Sequence, residues 1–124
     1  MKTVLVVEDN QDNLELISIV LKRSGYKVLS AETGEMGVEM AIQERPYFVI
    51  MDIDLPGIDG FEATRRIRTS EANGDIPIIA LTSFAMSGDR DRIMVIGCNG
   101  YFEKPINPLT IVDDIHKILE GLGR

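Results

Sequence analysis

Five short apolar runs divide the chain, and a longer stretch with helical spacing follows each of them. Val4 to Val7 and Phe48 to Met51 contain no polar residue. Ile76 to Leu81 is interrupted only by Pro77, which a strand tolerates near its start. Continuous runs of this length read as strands buried on both faces. Tyr26 to Ala31 is half polar and suits an edge strand, and Gly100 to Lys104 is a short fifth strand.

The intervening segments read as helices. In the first, Leu14, Ile17 and Leu21 form an apolar stripe that Leu16 and Val20 widen. Asn10 or Asp12 is placed to cap it, and Lys22, Arg23 and Gly25 suit its end. The second opens at Gly34, runs through Met36, Val38, Met40, Ala41 and Ile42, and stops near Pro46, with Gly37 weakening it. The third leaves the Asp59–Gly60 turn and continues through Phe61, Thr64, Ile67 and Arg68 to about Ser70. The fourth starts at Ser87–Gly88–Asp89 and ends at Gly97. Only Ile93, Met94 and Ile96 anchor it, so a weakly packed, mobile helix is expected. The last starts at Asn107–Pro108, with Leu109, Val112, Ile115 and Leu119 on one side and Ile111 and Ile118 on another. Strands alternating with helices of this length imply right-handed crossovers and a doubly wound α/β fold, with five parallel strands and five helices.

Composition narrows the picture. The 124 residues, 44% hydrophobic, suit one domain over residues 1–124 with one core. A net charge of −7 argues against non-specific nucleic-acid binding and against anionic membrane surfaces. The N-terminal apolar run is too short for a signal peptide, and no run approaches the ~20 apolar residues of a membrane span, so a cytoplasmic location is expected. Cys98 is the only cysteine; it forms no intramolecular disulfide, belongs to no metal-ligand pattern and reads as a small core hydrophobe.

The chemistry collects at the strand ends. The first strand ends on Glu8 and Asp9, the third on Asp52, the fourth on Thr82 and the fifth on Lys104. In a parallel sheet these ends share one edge, where ligands of such folds bind. Asp52 closes an apolar run, and a carboxylate is seldom buried without a partner.

With Met51-Asp52-Ile53-Asp54-Leu55-Pro56-Gly57-Ile58-Asp59-Gly60 intact, the set Glu8-Asp9, Asp52, Thr82-Ser83 and Lys104-Pro105 resembles the receiver domain of two-component response regulators. The resemblance covers essentially the whole chain. It implies the flavodoxin-like strand order 2-1-3-4-5 and a phosphorylation-activated signalling switch rather than an enzyme turning over external substrates. Asp52 is then the phosphoacceptor. Asp9, Asp52 and the Asp54 backbone carbonyl hold Mg²⁺ or Mn²⁺, with Glu8 acting through water, and Lys104 contacts the phosphoryl oxygens across a cis Lys104–Pro105 bond. Thr82 and Tyr101 form the switch that changes the surface of helix 4, strand 5 and helix 5. The implied partners are a histidine kinase or histidine phosphotransfer protein and a downstream protein effector, with the receiver a monomer or a phosphorylation-dependent dimer. Physical sense supports the ligand set: three clustered carboxylates repel one another, and a hard divalent cation with oxygen ligands relieves this. Phe84, two residues beyond Thr82, is expected to exclude water and slow loss of the phosphoryl group.

The chain resembles single-domain receivers of the DivK type and receivers of hybrid histidine kinases; a receiver cut from a longer regulator is the alternative. A haloacid-dehalogenase-like phosphatase would read Asp52 and Asp54 as nucleophile and acid, but that family places the pair on its first strand. A flavodoxin-type carrier would need a hydroxyl-rich loop where this chain is acidic. His116 reads as a surface residue, and Arg65, Arg66, Arg68, Arg90 and Arg92, interleaved with acids, as solvated faces. Ile17, Val20, Leu21, Ile111, Ile115 and Ile118 fit either the core or a partner-docking patch.

Overall fold

A computed structural model describes residues 1–71, 74–83 and 87–124, with the side chains of α4 from Arg90 onward. The elements alternate as β1 (Thr3–Val7), α1 (Gln11–Arg23), β2 (Lys27–Ala31), α2 (Gly34–Glu44), β3 (Val49–Asp52), α3 (Gly60–Arg68), β4 (Ile78–Thr82), α4 (Ser87–Ile96), β5 (Gly100–Glu103) and α5 (Ile111–Gly121). The sheet is parallel throughout, in the order β2-β1-β3-β4-β5. The strands without polar interruption, β1, β3 and β4, lie at its centre, and half-polar β2 forms an edge. Asp52 pairs in register with Leu81, and Thr82 with Glu103, so the strand ends named above line one edge.

Strand alternation sorts the core into two layers. Leu5, Val7, Val49, Met51, Ile78 and Ala80 face α2, α3 and α4, where Phe61, Ile67 and Ile93 meet them. Val4, Val6, Ile50, Ile79 and Leu81 face α1 and α5, with Ile17, Leu21, Ile115 and Leu119. Cys98 is buried in the first layer, and burial pushes its thiol pKa up. Ile17, Leu21, Ile111 and Ile115 belong to the second layer, with Val20 and Ile118 packed against it. These residues are therefore core, and the exposed apolar residues of α1 are Leu16 and Ile19.

Helix starts follow their caps. The side chains of Asn10, Thr33 and Asp59 accept the amides of Asn13, Met36 and Glu62. Gly37 sits inside α2 because a Cβ there would lie 2.7 Å from Val7 Cγ2; the helix crosses β1 closely at that point. Five expectations need correction. Arg68 is half-buried and bonded to backbone carbonyls rather than part of a solvated face. The last helix starts at Ile111 instead of Asn107–Pro108, because the Asn107 side chain accepts the Leu109 amide and holds a separate turn. Leu109 consequently stands outside the helix, 88% exposed. In α4, Met94 points to solvent, and Ile93 carries the burial. His116 is half-buried, with its Nε2 2.9 Å from the Tyr26 hydroxyl.

Candidate functional site

Two strand ends, those of β1 and β3, deliver three acids to one point. Glu8 follows β1, is fully buried, and has Oε1 held by the Asn10 amide at 3.1 Å. Asp9 beside it is exposed. Asp52, the last residue of β3, is 1% exposed. One carboxylate oxygen from each of Glu8, Asp9 and Asp52 lies within 4.8 Å of the others.

Lys104 enters from β5. Its Nζ lies 2.9 Å from Asp52 Oδ1 and 3.4 Å from Glu8 Oε2. Its amide donates to Thr82 O at 2.8 Å, so the lysine is tied by backbone to the end of β4. The Lys104–Pro105 peptide is cis. Asp52 Oδ1 also accepts the Asp54 amide at 3.0 Å, and Asp54 Oδ2 is 3.5 Å from the Ser83 amide.

The charges do not balance. Burial first, and the Asp52 charge second, raise the Glu8 pKa to about 6, against the opposing pull of Lys104 and the Asn10 amide. Burial alone would depress the Lys104 ammonium. Its hydrogen bond and attraction to Asp52, with Glu8 adding, outweigh that and hold its pKa above the ordinary value. Among the described residues, Asp52 Oδ2 and Glu8 Oε2 are buried without a hydrogen-bond partner. Such oxygens are costly unless something else occupies their lone pairs. An oxygen-only donor set, with Asp52 Oδ2 unpartnered and Glu8 Oε2 held only by the 3.4 Å ammonium contact, fits a hard divalent cation.

Thr82 is buried at the neighbouring strand end. By alternation it shares the α3–α4 side with Ala80, whose register partner is Tyr101. Tyr101 is half-buried, with the Arg90 guanidinium 5.8 Å from its ring. Phe84 lies outside the described residues.

Sequence reasoning left three contributors without their role in the site, although it read Gly60 into the turn before α3. Gly60 is one: a Cβ there would overlap the Asp52 carbonyl oxygen and Ile53 Cα, so only glycine lets α3 start against the end of β3. Asp59-Gly60, a cap followed by a residue with no side chain, is a signal that could have revealed it. The Asn10 and Asp54 amides are the others, and backbone donors leave no mark in a sequence.

Two buried carboxylates and an exposed one gathered beside one lysine, on the C-terminal edge of a 2-1-3-4-5 sheet, define a doubly wound α/β domain with an acidic cleft. The response regulator receiver domain model matches residues 4–122, and the chain belongs to that family. It is 36% identical over 118 residues to the polar-differentiation response regulator DivK of Brucella anthropi, covering 95% of this chain and 96% of the relative. Among solved structures, the receiver domain of a Pseudomonas aeruginosa sensor histidine kinase has a TM-score of 0.87 and 35% identity, covering 96% of this chain and 98% of that one. That protein holds a magnesium ion in its active site cleft. A chemotaxis response regulator of Vibrio cholerae superposes with a TM-score of 0.89 at 27% identity, covering 95% and 98%. A phosphoryl-accepting signalling role is general for the family. Among the described residues, no helix is long and apolar enough to cross a membrane.

Proposed function

We propose that Asp52 accepts a phosphoryl group from a histidine kinase or histidine phosphotransfer protein, and that the modified chain signals to a protein effector. The observation that carries this reading is the buried Asp52 carboxylate, one oxygen fixed by Lys104 and the Asp54 amide, the other without a hydrogen bond. In the transfer, a carboxylate oxygen bonds to phosphorus as the bond to the donor's leaving group breaks. Such transfers depend on positioning and on stabilising charge. Lys104 supplies a fixed positive charge beside the incoming oxygens. Asp9, Asp52 and the Asp54 carbonyl would hold Mg²⁺ or Mn²⁺, with Glu8 acting through water; the ion would neutralise the carboxylates and orient a phosphoryl group.

The switch reading extends from the same lip. A phosphoryl group adds charge and acceptor oxygens. The Thr82 hydroxyl donates to them, and Tyr101, opposite the small Ala80, moves into the space that Thr82 leaves. Acetyl phosphate with Mg²⁺ tests the core of the proposal by intact mass. The wild type should gain one phosphoryl group and Asp52→Asn none. Equal uptake by both would place the acceptor elsewhere.

A further inference from the structure

The exit of α4 is held by different means from the turns that begin at Arg90. The helix leaves the sheet edge that carries Asp52, runs back across the α3 side, and returns the chain to the start of β5. Its flanks rest on exposed contacts. The Arg92 guanidinium lies 3.8 Å from the Phe61 ring centroid, and Arg90 is 3.8 Å from Glu103 Oε1. Val95 is 87% exposed and Met94 half-exposed, so from Arg90 onward Ile93 is the one fully buried anchor.

The far end is clamped. Gly97 ends the helix at φ +110°, and its carbonyl accepts Arg68 Nε at 2.9 Å. A Cβ on Gly97 would sit 3.1 Å from that Nε, so the glycine serves both the backbone turn and the arginine lying across it. Arg68 also donates to Gly74 O at 3.1 Å, Ile76 O at 2.5 Å and Asn99 Oδ1 at 2.9 Å. Asn99 Oδ1 accepts the Ile78 amide as well, and the Asn99 amide donates to Ile78 O at 2.7 Å. One half-buried guanidinium thus ties the end of α3, the entry to β4 and the exit of α4 together, at the sheet edge opposite Asp52.

We infer that Arg68 and Asn99 form a fixed pivot for α4, so that movement of this helix is confined to its N-terminal half. Arg68 is a positioning residue, remote from the acid cleft. The consequence for phosphorylation rests on the switch reading above; the pivot itself does not.

Backbone amide exchange and chemical shifts in the full chain test this, with wild type, Arg68→Met and Arg68→Lys. In unmodified wild type, the Ile78 and Asn99 amides should exchange at least about tenfold more slowly than those of Arg90 and Asp91. Acetyl phosphate with Mg²⁺ should then shift Arg90 and Asp91 and leave Gly97 to Asn99 nearly unmoved. Arg68→Met should erase the protection at Ile78 and Asn99 and spread the shifts along the whole helix, without slowing phosphoryl uptake. Arg68→Lys, which keeps one cationic donor group, should fall between and covers the case in which Arg68→Met does not fold. Wild-type exchange at Ile78 and Asn99 in both variants overturns the pivot, as does an equal shift at both ends of α4 in wild type. Absence of phosphoryl uptake would instead count against Asp52 as acceptor, and the exchange data on unmodified protein would still decide the pivot.

Discussion

The acid cleft and the Arg68 clamp both take charge out of water, at opposite edges of one sheet, with opposite results. At the clamp, four donor contacts go to four neutral oxygens, and Asn99 is shared with the β4 backbone. In the cleft, two carboxylates face a single ammonium, and two buried oxygens have no hydrogen bond, Glu8 Oε2 keeping only its 3.4 Å ion-pair contact. A buried charge with most of its donors satisfied can fix architecture even where burial disfavours the charge, as it does for Arg68. One with acceptors left unfilled costs stability and waits for a ligand. The comparison separates an arginine that ties elements of the fold together from an aspartate left with an unfilled acceptor, although both are half-buried or buried ionisable groups.

The largest effect that sharpens this contrast is on the clamp. Arg68→Met keeps the aliphatic stem and strands the carbonyls of Gly74, Ile76 and Gly97. Partial access of water moderates the cost, so a loss of about 3 kcal/mol is expected in urea denaturation at neutral pH. A loss below about 1 kcal/mol would mean that the network is incidental.

The two regions also differ in how well the sequence announces them. The cleft was legible because apolar runs end on Glu8, Asp52, Thr82 and Lys104, and parallel topology gathers such ends onto one edge. The clamp was not. Arg68 sits among Arg65 and Arg66, which do pair with Glu62 on the surface, and nothing in the local pattern distinguishes it. Three of its partners are backbone carbonyls 6 to 29 residues away, which look the same at every position, and the fourth is the Asn99 side chain 31 residues on. His116 was misjudged for a related reason, since its partner Tyr26 is 90 residues distant. The order of elements followed from periodicity. The start of α5 did not, because Asn107 uses its side chain to hold a turn rather than to cap the helix directly.

The next effect runs in the opposite direction. Glu8 has its pKa raised from 4.5 to about 6, so the folded state binds a proton that the unfolded chain has released between those pH values. The contribution is fully favourable below pH 4.5 and is lost as pH rises through about 6. Glu8→Gln mimics the protonated form. Without divalent cation it should therefore be more stable than wild type by about 2 kcal/mol at pH 7.5, with the advantage vanishing near pH 4. Urea midpoints across this range measure the difference. Added Mg²⁺ should narrow the gap by stabilising wild type more than the variant. A variant less stable than wild type at pH 7.5 would show that the ionised Glu8 is fully compensated by Lys104, and the contrast with the clamp would collapse.

The smallest effect supplies the control. Arg92 carries the same charge as Arg68 but stays in water, stacked on Phe61. It has neither the four buried hydrogen bonds of the clamp nor the unfilled acceptors of the cleft. Arg92→Ala should cost only about 0.5–1 kcal/mol, the range of an exposed cation–π contact. It should also leave the exchange protection of Ile78 and Asn99 at the wild-type level, because the far end of α4 is held without it. If Arg92→Ala cost as much as Arg68→Met, cationic contact between α3 and α4 would matter more than buried hydrogen bonding. The helix would then be pinned along its length rather than at one end.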